Sequence, residues 1–460
     1  MPAALCLGVD VGSTSTKVSL VAVGTAVTEL GTLSVATPDD AGELVATVGR
    51  MIASLAEGRA IDAVGVASMA ETGVPLDAAG APLAGLIRWD GTRSVGVAPD
   101  LFAVTGVPLT PKPPLVSWLT TDYGMARWAG VADLIVLALT GELVTDHTLA
   151  GRTMAYRLPD GDGELAHEFD AELLALASLT PGHLPEVILH GDGWPLVSTA
   201  GASLTGLTVG TPVVVAGHDH AVGAWGARAR FAGDVIDSVG TTEVVMTVLG
   251  GWADRAAVAP TGMSIVRTVE GDREAILAGS AAAGAAVRWW VEQEYEGSMD
   301  ALIADLSTDA PRSQAIVLPY PAGRQSPHPD PAQRLEVLDA AESSRAQRTI
   351  ALFDALSFQA RWMLDVQSEL AGTRPRAVTM LGGATASNLN WMTTKSALMP
   401  PLRIVDAAEP VAASAALLAA VRAGLADPET SLGATRPDRS RLALESHYRR
   451  FVAAALGERK

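Results

Sequence analysis

Gly217-His218-Asp219-His220-Ala221-Val222-Gly223-Ala224 joins an apolar run, Pro212-Val213-Val214-Val215-Ala216, to an Ala/Gly-rich segment able to open a helix. The run reads as a buried strand. Asp219 stands at its end, where a carboxylate can take a proton from a reacting hydroxyl. An aspartate at such a junction can equally be a helix N-cap, its commoner use. His218 and His220 could hold a metal with it. If the strand runs on through them, alternation turns both imidazoles away from Asp219, and no further ligands stand nearby in sequence.

Asp10 ends a second apolar run, Leu5 to Val9, and opens Asp10-Val11-Gly12-Ser13-Thr14-Ser15-Thr16-Lys17. A β-rich run, Val18 to Val23, follows, so the Gly/Ser/Thr turn links two strands. A Walker loop would need a Gly-Lys-Thr/Ser ending and a following helix. Small residues let a backbone approach a phosphate whose oxygens amides and hydroxyls can bind, and Asp10 could hold Mg²⁺. An ordinary polar hairpin turn fits the same residues. Glu71, Asp90 and Arg93 also lie just beyond apolar runs, as ligands for sugar hydroxyls or as solvated loop charges.

These groups need elements to carry them. Leu44, Val45, Val48, Met51, Ile52 and Leu55 recur at helical spacing, and Ile61 to Ala67 reads as a strand. Residues 133–142 read as a helix stopped by Gly141. After Asp219 the pattern restarts: strand 234–239, turn Gly240-Thr241-Thr242, strand 243–248. Two strand-turn-strand units, one opening each half, suggest a duplicated architecture holding a phosphate chain. Helices are expected over 279–290 and 349–370, the latter burying Ile350, Phe353, Leu356, Ala360, Met363 and Leu364 on one face. Ala377 to Leu381 reads as a strand ending in Gly382-Gly383-Ala384, and Pro410 to Ala423 as an Ala-rich helix. Segment 440–456 reads as an exposed terminal helix that could make a homodimer contact or cap the second domain.

The 460 residues exceed one hydrophobic core and set an expectation of two or three domains. With 33 Lys+Arg against 51 Asp+Glu, the net charge of -18 argues against general affinity for nucleic acid or anionic membrane. The single cysteine, Cys6, excludes an intrachain disulfide and suits a reducing cytoplasm. The N-terminal run lacks a basic region and is broken by Asp10, unlike a signal peptide. No uninterrupted apolar run has the length of a membrane span.

Taken together and in this order, the motifs resemble those of the FGGY-type carbohydrate kinases, from Leu7 to about Ala423. The resemblance implies an α/β fold of two ribonuclease-H-like (actin-like ATPase) domains flanking a catalytic cleft, with domains over 1–228 and 229–460. The first would bind sugar and carry the base, and the second would bind nucleotide. Asp10 to Lys17 is similar to the first phosphate element, with Gly12, Ser13, Thr14 and Lys17 toward nucleotide and Asp10 toward Mg²⁺. Gly240, Thr241 and Thr242 are similar to the second, and Gly382, Gly383 and Ala384 to the start of the adenosine element. Glu71, Trp89, Asp90 and Arg93 would bind substrate. Asp219 would accept the proton of a hydroxyl attacking the γ-phosphate of ATP, and domain closure would exclude water.

Departures bear on the substrate. Xylulose kinases read Gln-Met-His-Gly and glycerol kinases Gln-Arg-Glu-Thr where this chain has Met69-Ala70-Glu71-Thr72, so the glycerol-type Arg is absent. Where the family has Trp-x-Asp-x-Arg, Gly91 takes the Asp position and Asp90 precedes it. Gly323-Arg324-Gln325-Ser326-Pro327 is similar to the Gly-Glu-Arg-Thr-Pro of xylulose kinases. Trp391 is followed by Met392-Thr393-Thr394-Lys395, where Gln and later Ala-Asp are usual. The expectation is an ATP- and Mg²⁺-dependent kinase of a small sugar, a ketose such as a pentulose. The alternatives are a polyol kinase for glycerol, erythritol or a pentitol, a non-catalytic sugar or nucleotide sensor, and an actin-like filament or chaperone ATPase.

Overall fold

The computed structural model describes residues 3–91, 95–96, 98–306, 310–382 and 388–458. They form two compact units. The first comprises residues 1–230, 265–275 and 406–433, and the second 231–264, 276–405 and 434–460. Against the single crossing expected at 228/229, two later stretches return to the first unit. The reason for the second return is a helix that completes the first unit's core.

The first unit is built on a five-stranded sheet in the order Val27–Ala36, Ser15–Val23, Ala4–Val11, Ala63–Ser68, Val213–His218. The first three strands pair antiparallel, and Ala4–Val11, Ala63–Ser68 and Val213–His218 run parallel. Parallel strands covered on both faces read as unbroken apolar runs, as these do. One cover is the helix Ala41–Ala56, N-capped by Asp40, which buries Leu44, Val48 and Ile52.

The other cover comes from far along the chain. The helix Pro410–Arg422 starts with Pro at its first turn and is buried from Ala412 through Ala420. It lies on the strands at backbone contact. A Cβ at Gly8 would come within 1.8 Å of the Ala412 carbonyl, and one at Gly65 within 2.0 Å of the Ala415 carbonyl. Alanines on the helix and glycines on the strands are two halves of one fit. Leu417 and Leu418, fully buried, each add roughly 2 kcal/mol of apolar burial.

The second unit repeats the opening pattern. Strand Val235–Val239 forms a hairpin with Glu243–Val248 and pairs in parallel with Val378–Leu381, which pairs in parallel with Leu402–Val405. Helix Arg345–Ala371 has a capping box between Ser344 and Gln347 and ends at Gly372 in the left-handed region. It is buried continuously from Thr349 to Ala360, not on one face, because it is the centre of that unit's core. Gly279 and Ser280 end a strand, Glu274–Ser280, and the helix expected over 279–290 runs Gly284–Glu294 instead. The terminal helix Glu445–Ala455 is not an exposed one. It buries Tyr448, Phe451 and Ala455, with the Phe451 ring tilted against Phe358 at 5.6 Å and edge-on to Trp362 at 6.4 Å between centroids. No helix among the described residues is long and apolar enough to cross a membrane.

Candidate active site

Register places three candidate carboxylates together. Val11 pairs with Ser68, and Ser68 with His218, so the parallel strands end level. Asp10, Glu71 and Asp219 issue from those three adjacent C-terminal ends, the edge at which open α/β sheets bind ligands.

Asp219 is the first residue of the helix Asp219–Gly226, and the N-cap is His218, whose side chain makes no capping bond. The carboxylate accepts the neighbouring His220 amide at Oδ1, 2.6 Å, not the amides two or three residues on that a capping side chain serves. His218 Nε2 lies 3.1 Å and His220 Nε2 3.8 Å from the same oxygen. The strand stops at His218, so the alternation that would have turned both histidines away does not apply. Ligand atoms of His218, Asp219 and His220 lie within 4.8 Å of one another.

The bend that aims Asp219 is fixed from below. Gly217 has φ +124°, and a Cβ there would come within 2.4 Å of Thr148 Oγ1. The strand pairing slips by one residue at this point. The His218 amide donates to Thr148 Oγ1 at 2.8 Å, and the Thr148 amide donates to Asp146 Oδ1 at 2.7 Å. Arg422 Nη1 approaches Asp146 Oδ2 to 3.7 Å. Burial would raise the Asp146 pKa, but His147, Arg422 and Thr148 hold it below the usual carboxylate range. Nothing local in the sequence marks Asp146, Thr148 and Arg422 as one support.

Asp10 is 3% exposed. Lys17 Nζ pairs with its Oδ2 at 3.2 Å and reaches Glu409 at 3.9 Å. Oδ1 is buried with no hydrogen-bond partner among the described residues. Burial raises the Asp10 pKa against the pull of Lys17, and the nearby Asp219 raises it further. An anionic oxygen without a donor fits a divalent cation. Gly12, Ser13 and Thr14 form the expected hairpin turn, closed by the Gly12 amide on the Ser15 carbonyl at 3.1 Å.

Glu71 is buried and bound by Arg152, which the sequence reading missed. Arg152 Nε and Nη2 both donate to Oε1, at 3.0 and 2.8 Å. Burial alone would raise the Glu71 pKa, but Arg152, His218 and Lys112 bring it down to about 2. A guanidinium thus reaches Glu71 although position 70 is alanine. Trp89 donates its backbone N–H to Thr72 Oγ1 at 3.1 Å, and its ring carries the Lys112 ammonium 4.7 Å from the centroid. Asp90 is exposed and its carboxylate pairs with Arg88 at 3.1 Å, as a solvated loop charge does. Arg93 lies outside the described residues. His218 joins the two ends of the site, feeling Asp219 and His220 on one side and Glu71 and Arg152 on the other. Burial pushes its pKa down to about 4, which leaves it neutral near pH 7.

In the second unit, Gly240-Thr241-Thr242 caps the hairpin, with the Gly240 amide on the Thr242 carbonyl at 2.9 Å. The amides of Gly284 and Ala285 donate to the carbonyls of Gly240 and Thr241 at 3.2 and 2.9 Å. Beneath this turn Lys395 Nζ contacts both Asp237 and Glu243, all three fully buried. Burial and Asp237 raise the Glu243 pKa against the pull of Lys395. Gly382 follows the strand Val378–Leu381, and Gly383 and Ala384 lie outside the described residues.

Comparison with known proteins gives two family matches. The N-terminal domain model of the FGGY family of carbohydrate kinases matches residues 5–226, and the C-terminal domain model residues 237–423. A gluconokinase of Bacillus subtilis is 24% identical over 362 residues, 70% of this chain and 68% of its own. A glycerol kinase of Symbiobacterium thermophilum is 27% identical over 396 residues, 79% of this chain and 76% of its own. A ligand-bound xylulose kinase from Lactobacillus acidophilus superposes with TM-score 0.82 at 19% identity over 98% of both chains. A Plasmodium falciparum glycerol kinase solved with ADP gives 0.79 at 16% over 99% and 97%. At these identities the solved structures establish the actin-like fold.

Proposed function

The chain belongs to the FGGY family of carbohydrate kinases, ATP-dependent enzymes acting on small sugars and polyols, and from that premise we propose its acceptor and the roles of its residues. The acceptor is a small polyhydroxylated compound. A ketose such as a pentulose is its first form and a polyol the alternative. The observation that carries this reading is the convergence of Asp10, Glu71 and Asp219 at three adjacent strand ends. The first unit supplies acceptor site and base, and the second supplies the nucleotide turns Gly240-Thr241-Thr242 and Gly382.

Glu71, ionised by Arg152, accepts hydrogen bonds from acceptor hydroxyls. The reacting hydroxyl oxygen bonds to the γ-phosphorus as the bond from that phosphorus to the β–γ bridging oxygen breaks, releasing ADP. The hydroxyl proton passes to Asp219, whose Oδ1 accepts the His220 amide. Such a base need not be strong, because the hydroxyl becomes acidic as the new bond forms. Mg²⁺, when bound, neutralises charge on the phosphates, and Asp10 Oδ1 is the atom that would hold it. Cys6 is buried with its thiol pKa pushed up to about 12, which keeps it an unreactive thiol.

The test is ADP release from ATP and Mg²⁺ across ketoses, aldoses and polyols, with wild type beside Asp219→Ala. Stimulation by one compound, lost in the variant, supports both reaction and base. Stimulation that survives in Asp219→Ala removes Asp219 as the base. A broad panel without any stimulation, while ATP still raises the melting temperature, would instead favour a sensor.

A further inference from the structure

Two imidazoles converge on one carboxylate oxygen. His218 Nε2 lies 3.1 Å and His220 Nε2 3.8 Å from Asp219 Oδ1, and ligand atoms of all three residues lie within 4.8 Å of one another. The two rings stand at 89° with centroids 5.2 Å apart, so each approaches that oxygen from its own direction. Bonds of about 2.0–2.1 Å to one tetrahedral ion set its donor atoms about 3.3–3.4 Å apart. The two nitrogen-to-oxygen separations bracket that edge.

From this convergence we propose that His218, Asp219 and His220 form a site for one divalent transition-metal ion of the Zn²⁺ class, and that the ion inhibits the enzyme. It is a different ion from the Mg²⁺ of the nucleotide. Mg²⁺ takes oxygen donors, whereas imidazole suits zinc and its neighbours. Each neutral imidazole binds through Nε2 and keeps its proton on Nδ1. Three protein donors leave a fourth position for water. The side chains of Asp219 and His220 are 20% and 19% exposed, so an ion reaches the site without unfolding, and His218 at 7% closes its inner side.

The three ligands are consecutive in sequence because the strand Val213–His218 turns there into the helix Asp219–Gly226. On a continuing strand the two histidines would share one face and Asp219 would take the other. Gly217, at φ +124°, and the Thr148 hydroxyl that accepts the His218 amide hold the bend that brings all three together. Asp219 Oδ1 already accepts the His220 amide, and an ionised carboxylate oxygen has a second lone pair to give a metal. A helix N-terminus repels a cation, so affinity comes from the donors themselves. The Asp10 carboxylate, close enough to feel both Asp219 and His220, adds negative charge. An ion on Asp219 takes up the electron pair that the kinase reading gives to the hydroxyl proton. Inhibition therefore rests on that reading, while binding stands without it.

The experiment strips the chain with a chelator and titrates it with Co²⁺, read by visible absorption, and then with Zn²⁺ in competition. One Co²⁺ per chain with the strong bands of four-coordination is expected, displaced by Zn²⁺ at a Kd of about 10 µM or tighter. His220→Gln should weaken Zn²⁺ by at least about tenfold at an unchanged metal-free urea midpoint. In ADP release at saturating ATP and excess Mg²⁺, buffered Zn²⁺ should lower the rate, with recovery on adding chelator. More ATP should give no relief, and His220→Gln, scored against its own zinc-free rate, should resist. Weak octahedral Co²⁺ bands, or Zn²⁺ affinity unchanged in a folded His220→Gln, overturn the site and leave the kinase reading standing. Bound Zn²⁺ that leaves ADP release at its zinc-free rate overturns the inhibition. A chain that binds Zn²⁺ as expected but releases ADP with no acceptor keeps the site and overturns the kinase reading.

Discussion

His218 Nε2 lies 3.1 Å from Asp219 Oδ1, the oxygen that also accepts the His220 amide at 2.6 Å. Oδ1 is therefore engaged by the residues on either side of Asp219. Asp219→Asn keeps the shape and the Oδ1 contacts but removes the proposed proton acceptor. We expect kcat to fall by about 10²–10⁴, with KM for both substrates within a few-fold of wild type. Steady-state kinetics at saturating ATP checks this. A kcat within threefold or so of wild type would be incompatible with general-base catalysis by Asp219.

Gly217 tests the support under the proposed base. Its φ of +124° and the 2.4 Å approach to Thr148 Oγ1 leave no room for a side chain. Gly217→Ala should destabilise by more than about 1–2 kcal/mol and lower kcat as well, since the bend aims Asp219. Chemical denaturation and kinetics on the same preparation separate the two effects. Wild-type stability in the variant would show that the Thr148 contact yields without strain.

Lys395 holds two buried carboxylates under the Gly240 turn. Lys395→Met leaves Asp237 and Glu243 facing each other without a cation, and we expect a loss of about 3–5 kcal/mol. The triple variant Lys395→Met, Asp237→Asn, Glu243→Gln removes the charges together and should recover much of that loss. Urea midpoints for wild type, single and triple variants test it. A triple variant less stable than the single one would show that packing, not charge, sets the cost.

Asp133 gives a pH signature. Burial pushes its pKa up to about 7, against hydrogen bonds from Thr145 and the Gly130 amide. Between the ordinary value of 3.8 and 7 the folded chain holds a proton that the unfolded chain has released. That contribution to stability is full below pH 3.8 and is lost as pH rises through 7. Asp133→Asn should flatten this part of the stability profile and raise stability relative to wild type at pH 8. Denaturant midpoints from pH 4 to 8 read it, and parallel profiles for the two proteins would remove Asp133 as the source.

Legibility followed locality. Asp10 and Asp219 could be read because each ends an apolar run, and a strand end states its own position. Arg152 could not, because it meets Glu71 across 81 residues and nothing near either residue declares the pairing. Lys395 showed only as a departure from a motif, since its partners come from a hairpin 152 residues earlier or more. The direction of the histidines beside Asp219 was not legible because one residue decides between strand alternation and helical turn, and boundaries are where local pattern is weakest. Helix 345–371 misled in the same way: one apolar face was legible, but the neighbours that bury its polar Ser357 and Gln359 were not.

The fit of Gly8 against Ala412 and of Gly65 against Ala415 also has a meaning in time. The strands Ala4–Val11 and Ala63–Ser68 are made roughly 350–400 residues before the helix that covers them, about 20–80 s earlier at ordinary synthesis rates. Through that interval one face of the Ala4–Val11 and Ala63–Ser68 strands has no native cover. The nascent chain is therefore an unfinished sheet with a waiting groove, exposed to chaperones and to other chains. Emergence of the helix Pro410–Arg422 is the event that lets the first unit complete its core.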